Sequence, residues 1–306
     1  MKHPMAKLAR FAWRLGRNFL CVSPWGRSLL FSSESLANRF GPGDADYAIR
    51  VFMHHYQQLS AAGFPYANKI LEVGPGQNLG TSLLMWALNY RRAEKMVTVV
   101  LWDAYPNIRV DSEMFRETAR ALLGSASWCD LSDALPDEGI DHILSMVAQG
   151  ELRPDIRYRV QTLSNLNDAE AGDMGLIYSQ AAIEHIWNIS EFWPMIIGLT
   201  RPGGWHSHRI DLADHGRRET NYVEMLEWSR LGYWLTMRFV PGAINRWRAS
   251  MHMTFLAQAG LKILSVSREI RETLPITIGR LNRAFRSLEE SDLRTTALDI
   301  VGVKLV

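Results

Sequence analysis

The chain has 306 residues, 47% hydrophobic and 22% charged, the make-up of an ordinary globular protein able to bury a sizeable core. Its formal net charge of +2 supplies no overall drive toward nucleic acid or acidic substrates. Two cysteines, Cys21 and Cys129, are too few for a disulfide framework or a structural zinc site, and as reduced thiols they point to a cytoplasmic compartment.

Residues 1–43 read as a basic amphipathic arm. Lys2, Lys7, Arg10, Arg14, Arg17 and Arg27 all precede the first acid, Glu34, and they alternate with Leu8, Phe11, Trp13, Leu15, Phe19 and Leu20. The arginines break up the apolar run that a secretory signal needs, and no apolar stretch in the chain approaches the ~20 residues of a membrane-spanning helix. Two placements are open: a helix lying on an anionic membrane surface, peripheral to its inner face, or an arm packed on the protein with its basic side in water.

Gly41-Pro42-Gly43-Asp44 separates this arm from a domain spanning 44–306. Ile49, Phe52, Met53, Tyr56 and Leu59 recur at helical spacing and predict a helix over 45–62, ended by Gly63-Phe64-Pro65. Strand and helix signals then alternate: strand 69–73, helix 81–90, strand 96–102, helix 111–123, and a short third strand at 158–161. The segment between Gly124 and Asp173 is longer than one crossover needs. A strand at 174–178, a helix over 190–199, a Pro202-Gly203-Gly204 turn and a strand at 205–212 follow. Residues 214–250 read as a helical insertion over the sheet, rich in Tyr222, Trp228, Tyr233 and Trp234, and suited to be a substrate lid. A helix at 251–259, a strand at 262–266 and a last strand at 297–305 complete the chain. Alternation of this kind predicts an α/β, doubly wound, Rossmann-like and mostly parallel sheet of about seven strands with helices on both faces.

The densest motif is Lys69-Ile-Leu-Glu-Val-Gly-Pro-Gly-Gln-Asn-Leu-Gly80, a strand running into three glycines and then a helix. Glycines there let the backbone turn sharply and approach a ligand at a helix N-terminus. The second strand ends in Asp103, where a carboxylate can accept both hydroxyls of a ribose. The G-x-G-x-x-G spacing that a dinucleotide dehydrogenase prefers is absent.

With Glu72-Val-Gly-Pro-Gly76 and Asp103 stand two further runs, Tyr178-Ser-Gln-Ala-Ala-Ile-Glu-His185 after the fourth strand and Leu199-Thr-Arg-Pro-Gly-Gly204 before the fifth. In order and spacing these four segments, over roughly residues 68–212, resemble a class I S-adenosylmethionine-dependent methyltransferase. The resemblance implies S-adenosyl-L-methionine as cofactor, and a final antiparallel hairpin closing one edge of the sheet. It implies that Gly74 and Gly76 line the methionine part, that Glu72 orients the loop and that Asp103 holds the ribose. Pro75, Gly80 and Gln180 would complete the cofactor wall, and Asn165, with Ser164 and Leu166, would meet the adenine.

A hydroxyl acceptor needs a base, and histidine suits that role near neutral pH. His185 follows the fourth strand at the carboxyl ends where ligands of open sheets bind. His206 and His208 share one face of the fifth strand, with Ser207, Arg209 and Asp211 on the other. His208 is the favoured base, with His185, His215 and Asp211 beside it as catalytic candidates and His206 as a core histidine. His208, Asp211 and His215 also offer metal ligands, but no H-E-x-x-H or cysteine pair supports one and no metal is assigned. The run from Ser207 to His215 resembles a bacterial subgroup that modifies sugars of surface polysaccharides, which implies a small-molecule or glycan acceptor and no nucleic acid. The competing reading is a non-catalytic module of the same fold, acting at a membrane surface or with a protein partner.

Overall fold

The computed structural model describes residues 4–30, 44–90, 97–104, 110–131, 133–149, 154–161 and 173–305. Among these, seven strands form one sheet: β1 (Lys69–Val73), β2 (Thr98–Asp103), β3 (Asp155–Val160), β4 (Met174–Gln180), β5 (Thr200–Asp211), β6 (Leu261–Ile270) and β7 (Thr295–Lys304). Their order is β3-β2-β1-β4-β5-β7-β6. The first five run parallel, while β7 lies antiparallel between β5 and β6. The doubly wound sheet and its closing antiparallel hairpin are thus those expected. The chain departs in opposite directions from β1, toward β2 and toward β4, and that switch opens a crevice beyond the strand ends.

Two-residue alternation sends side chains to two separate cores. Ile70, Val99, Leu101, Leu176 and Tyr178 pack under α3 (Ala45–Ala61), α4 (Gly80–Asn89), α5 (Ser112–Gly124) and α6 (Asp137–Gln149). Leu71, Val73, Val100, Ile177 and Ile210 pack on the opposite side under α7 (Ile189–Leu199) and α9 (Ala249–Gln258). Local capping sets the helix starts. The Asp44 side chain accepts from the Tyr47 amide to open α3, and Asp111 Oδ1 accepts from the Met114 amide at 2.9 Å to open α5.

Several boundaries move. The third strand starts at Asp155, three residues before the predicted start, because it is the sheet's edge and Arg157 and Arg159 interrupt its apolar pattern. Likewise β6 continues to Ile270, pairing with β7 alone, so its exposed second half carries polar residues that do not read as strand. The predicted Pro202–Gly204 turn is an irregularity within β5, where pairing jumps from Met174↔Thr200 to Leu176↔Trp205. The long segment after Gly124 holds α6, whose Ile143 and Met146 are buried.

The insertion after β5 contains α8 (Arg230–Met237) and has its own core of Tyr222, Val223, Met225, Leu226, Tyr233 and Ile244, joined by Leu281, Phe285 and Leu293. Arg248 is fully buried at its base. It donates to the carbonyls of Leu212 at 2.7 Å, Asp292 at 3.0 Å and Leu293 at 3.2 Å, as well as to that of Thr295. One side chain thereby ties both ends of the insertion to the start of β7.

The arm forms α1 (Pro4–Leu20) and α2 (Pro24–Leu30) and packs on α8. Asn18 donates to the Leu235 carbonyl at 2.9 Å and accepts from the Phe239 amide at 2.7 Å. Phe11 stacks on Trp228 at 6.1 Å. The expected polarity is reversed at the charges that can be followed. Arg14 and Arg17 point inward, while Trp13 and Phe19 on the outer side are 63% and 64% exposed. The reason is that the arm's polar groups find partners in the insertion: Arg14 donates to Glu224 Oε1 at 2.7 Å and its guanidinium sits 4.9 Å from the Trp228 ring centre. No helix among the described residues is long and apolar enough to cross a membrane.

Candidate functional site

A cleft of about 950 Å³ opens at the carboxyl ends of β1, β2, β4 and β5, roofed by α1 and the insertion. Its volume is that of a site holding a ligand larger than a single metabolite fragment. One half is built on the loop after β1. Gly74 and Gly76 sit at φ of +70° and +64°, a left-handed conformation that glycine adopts without strain. A side chain on Gly74 would also meet Ala182, whose Cβ would be 2.5 Å from the added atom, so the bare backbone here is what lets the loop after β4 approach. Asn78 holds the loop from behind, accepting from the Gly80 amide at 2.8 Å and donating to the Asp44 carbonyl at 3.1 Å.

Glu72 forms the floor of this half. Its carboxylate accepts from Tyr178 Oη at 2.6 Å and from the Ser82 hydroxyl, and burial pushes its pKa up to about 7. Asp103 stands at the end of β2 and lines the same half with Trp102, Ala104 and Gln180. Trp102 Nε1 donates to the Gln161 carbonyl at 3.0 Å and the Gln161 amide to the Asp103 carbonyl at 3.0 Å, which fixes the end of β3 beside that of β2. Glu72, Gly74, Pro75, Gly76, Asp103 and Gln180 therefore line one cleft. Gly80 is not part of the lining. It lies where α4 meets α3, and a Cβ there would come within 2.7 Å of the Ala48 Cβ, so its smallness serves helix packing. Asn165, Ser164 and Leu166 lie outside the described residues.

The other half is polar and assembled from distant segments. Glu184 and His185 form a short turn after β4, which Asn245 pins by donating to the carbonyls of Ile183 and Ile186, both at 2.9 Å. His185 Nδ1 bonds the Ala243 carbonyl at 3.2 Å, and burial depresses the ring's pKa to about 4, leaving it neutral at pH 7. Its ring lies 5.3 Å from that of His215, edge to face. His215 Nε2 lies 3.2 Å from Asp211 Oδ2, which also accepts from Arg218. Glu184 is 1% exposed, neither carboxylate oxygen has a hydrogen-bond partner among the described residues, and burial raises its pKa to about 7. Tyr233, Trp228 and Met237 of the insertion, Tyr47 of α3 and Arg14 and Arg17 of α1 complete the walls.

His185, Asp211 and His215 are thus joined at one wall, while the expectation for His208 is corrected. His208 is 1% exposed and lies beneath the sheet, away from the cleft. Its Nδ1 bonds the Ser179 hydroxyl at 2.8 Å and its Nε2 bonds His206 Nδ1 at 3.1 Å, while His206 Nε2 meets the Thr200 hydroxyl at 2.8 Å. The His208 ring packs edge to face on Trp193 at 5.2 Å, and burial holds both pKa values far below that of a solvated imidazole. Strand alternation places 206 and 208 on the face covered by α7, while Ser207 is buried on the other face against His55 of α3. Tyr47, Glu184, Arg14 and Arg17 escaped sequence reasoning. Glu184 alone had a local signal, its place beside His185 in a motif already singled out.

No protein-family model and no curated protein sequence matches this chain. Solved structures resembling it include the N-methyltransferase NodS of Bradyrhizobium japonicum WM9 in complex with S-adenosyl-L-homocysteine, at 10% identity and a TM-score of 0.40, covering 82% of this chain and 86% of that one. The YcgJ protein of Bacillus subtilis is 10% identical with a TM-score of 0.42, covering 83% and 99%. An O-methyltransferase family protein of Burkholderia thailandensis is 14% identical with a TM-score of 0.42, covering 85% of this chain and 58% of that one.

Proposed function

We propose that this protein is an S-adenosyl-L-methionine-dependent methyltransferase acting on a small-molecule hydroxyl, with a sugar of a surface polysaccharide as the first choice of acceptor. One observation carries the reading. A single cleft joins a donor half, Glu72, Gly74, Gly76 and Asp103, to an acceptor half whose polar groups are His185, Asp211 and His215.

The donor half suits the cofactor group by group. The Asp103 carboxylate offers acceptors for two ribose hydroxyls, the left-handed turn at Gly74 and Gly76 exposes bare backbone to an amino-acid tail, and Trp102 gives an apolar wall to a base. When bound, S-adenosyl-L-methionine supplies an electrophilic methyl on a sulfonium. The residues of the chain then have to orient a hydroxyl, take up its proton and keep water out. With its pKa near 4, His185 is a weak base at pH 7 and serves to orient. The Asp211–His215 pair, nearer the mouth, is the proton-handling element. The insertion and α1 supply the roof, and Trp228 and Tyr233 give it flat surfaces of the kind that stack on sugar rings.

The experiment is thermal unfolding with and without S-adenosyl-L-homocysteine in metal-free buffer. A ligand at a hundred times its Kd stabilises the native state by about 2.7 kcal/mol, so the midpoint rises. No shift at millimolar ligand refutes the reading and leaves the non-catalytic module.

A second reading, compatible with the first, places the protein at an anionic membrane surface through its arm. It is favoured by the outward residues Trp13, Phe19, Leu20, Val22, Trp25 and Leu29, all exposed, in a segment with no acid before Glu34. Trp13 and Phe19 therefore face outward on the same helix whose inner side roofs the cleft.

A further inference from the structure

We propose that Glu184, His185 and His215 form a binding site for a divalent cation of the imidazole-seeking kind, Mn²⁺ or Zn²⁺, at the acceptor end of the cleft. One potential ligand atom from each residue lies within 4.8 Å of the other two, close enough for small side-chain rotations to close a three-ligand site. Two histidines and one carboxylate, with the remaining positions open to the cleft, is a donor set suited to such metals rather than to an all-oxygen ion.

Three independent features favour a cation over a plain polar wall. First, Glu184 is 1% exposed and neither of its oxygens has a hydrogen-bond partner among the described residues, an arrangement that burial penalises unless something positive sits against it. Second, each histidine has one ring nitrogen engaged with oxygen, His185 Nδ1 with the Ala243 carbonyl and His215 Nε2 with Asp211 Oδ2, both at 3.2 Å. Metal-ligating histidines are held in this way, the engaged nitrogen fixing the tautomer and leaving the other to bind. Third, the turn carrying Glu184 and His185 is pinned by Asn245 from the insertion, so the ligands sit on a braced element.

The inference deepens the methyl-transfer reading, and cation binding is measured without it. A hydroxyl held in an open position of the cation loses its proton to solvent at a lower pH than a hydroxyl in water. The Asp211–His215 pair would then orient the cation instead of accepting the proton itself.

The test uses the full-length, tag-free protein, stripped with chelator and dialysed. Mn²⁺ alone, followed by the electron-spin resonance of the unbound ion, and Zn²⁺ alone, by calorimetry, are expected to bind one per chain and to raise the unfolding midpoint. Glu184→Gln keeps the side chain's size and removes its charge. It is expected to abolish binding at concentrations that saturate the parent, with a metal-free midpoint equal to or above the parent's. His215→Ala, at a partly exposed position, guards against a folding defect and is expected to weaken binding at least tenfold. Absence of stoichiometric binding, or binding that survives both substitutions, overturns the site. The S-adenosyl-L-homocysteine shift in chelator is a separate readout. A cation site that fails while that shift persists leaves the methyl-donor reading intact, and the reverse result leaves the metal site standing alone.

Discussion

The two halves of the cleft are built by different means. The donor half is a row of strand ends: Glu72, Gly74 and Gly76 follow within one loop, and Asp103 ends the neighbouring strand, which pairs with β1 in register from Lys69↔Thr98 to Val73↔Trp102. The acceptor half has no such continuity. Arg14 and Arg17 come from the arm, Glu184 and His185 from the turn after β4, Asp211 and His215 from the end of β5, and Trp228 and Tyr233 from the insertion. A parallel sheet fixes its strand ends relative to one another through the ladder, so a donor site can be written locally. A lid has to be positioned by long-range packing, and can vary without disturbing the sheet. On the proposed reading, one region sets a common chemistry while the other sets what it is applied to.

The sharpest way to break this division is through the histidines. His215→Ala removes a group of the acceptor half only, and is expected to lower turnover on the true acceptor by about 10²–10⁴-fold while S-adenosyl-L-homocysteine affinity and unfolding midpoint stay unchanged. A parallel loss of cofactor affinity would show that the halves are one unit. Asp103→Ala belongs to the donor half. It is expected to weaken S-adenosyl-L-homocysteine binding by about 1.5–3 kcal/mol, roughly ten- to a hundredfold in calorimetry, with the fold intact. Unchanged affinity would remove Asp103 from the site.

His208→Ala tests the region beneath both halves. It leaves the Ser179 hydroxyl and His206 Nδ1 without their partner inside the sheet, and is expected to cost about 1–3 kcal/mol of stability in urea unfolding, with turnover per folded molecule preserved. A folded but inactive variant would restore His208 to catalysis.

The same contrast extends to pH. His55, His206 and His252 have pKa values lowered to about 3 by burial, and that of His208 is also well below normal. A lowered folded-state pKa stabilises above the unfolded value of 6.5, and that contribution is lost as pH falls toward 3. Each such histidine contributes a slope of roughly 1.4 kcal/mol per pH unit below about 6. Glu72 and Glu184 in the cleft have the opposite sign. With folded pKa values raised to about 7, their stabilisation is complete below 4.5 and is lost as pH climbs through 7. Urea midpoints are therefore expected to fall from pH 6.5 to 5, where the buried histidines outnumber the two carboxyls, and to level off above 7. A flat acid limb would mean the histidines are not buried neutral.

The smallest effect belongs to the arm's outer side. Trp13→Ala with Phe19→Ala should change stability by no more than about 0.5 kcal/mol, since both side chains face outward. The same pair should abolish sedimentation with anionic vesicles. Because Arg14 and Arg17 point into the cleft, added salt should weaken that binding less than the double substitution does. Intact protein that never sediments would eliminate the membrane reading.

What the sequence determined by itself is the sheet and the donor loop. Lys69–Val73 was legible to the residue, because Ile70, Leu71 and Val73 make the mainly apolar run of a buried parallel strand and its end is marked by glycines. Asp44 and Asp111 announced the starts of α3 and α5 through hydrogen bonds that span only three residues. The helix at Asp137–Gln149 carries Ile140, Ile143, Met146 and Val147 at helical spacing, inside a connection longer than one crossover needs. Tertiary structure alone decided which polar residues face the ligand. His208 and His215 are equally histidine in sequence, yet alternation and the cover provided by α7 bury the first, while the second lies beyond the strand's end. Arg14 became part of the cleft only because Glu224 and Trp228, more than two hundred residues away, offered its charge a better place than solvent. Local pattern specifies how a segment folds through neighbours a few residues apart. Whether its side chains meet water, a partner or a ligand depends on segments that sequence spacing cannot bring together.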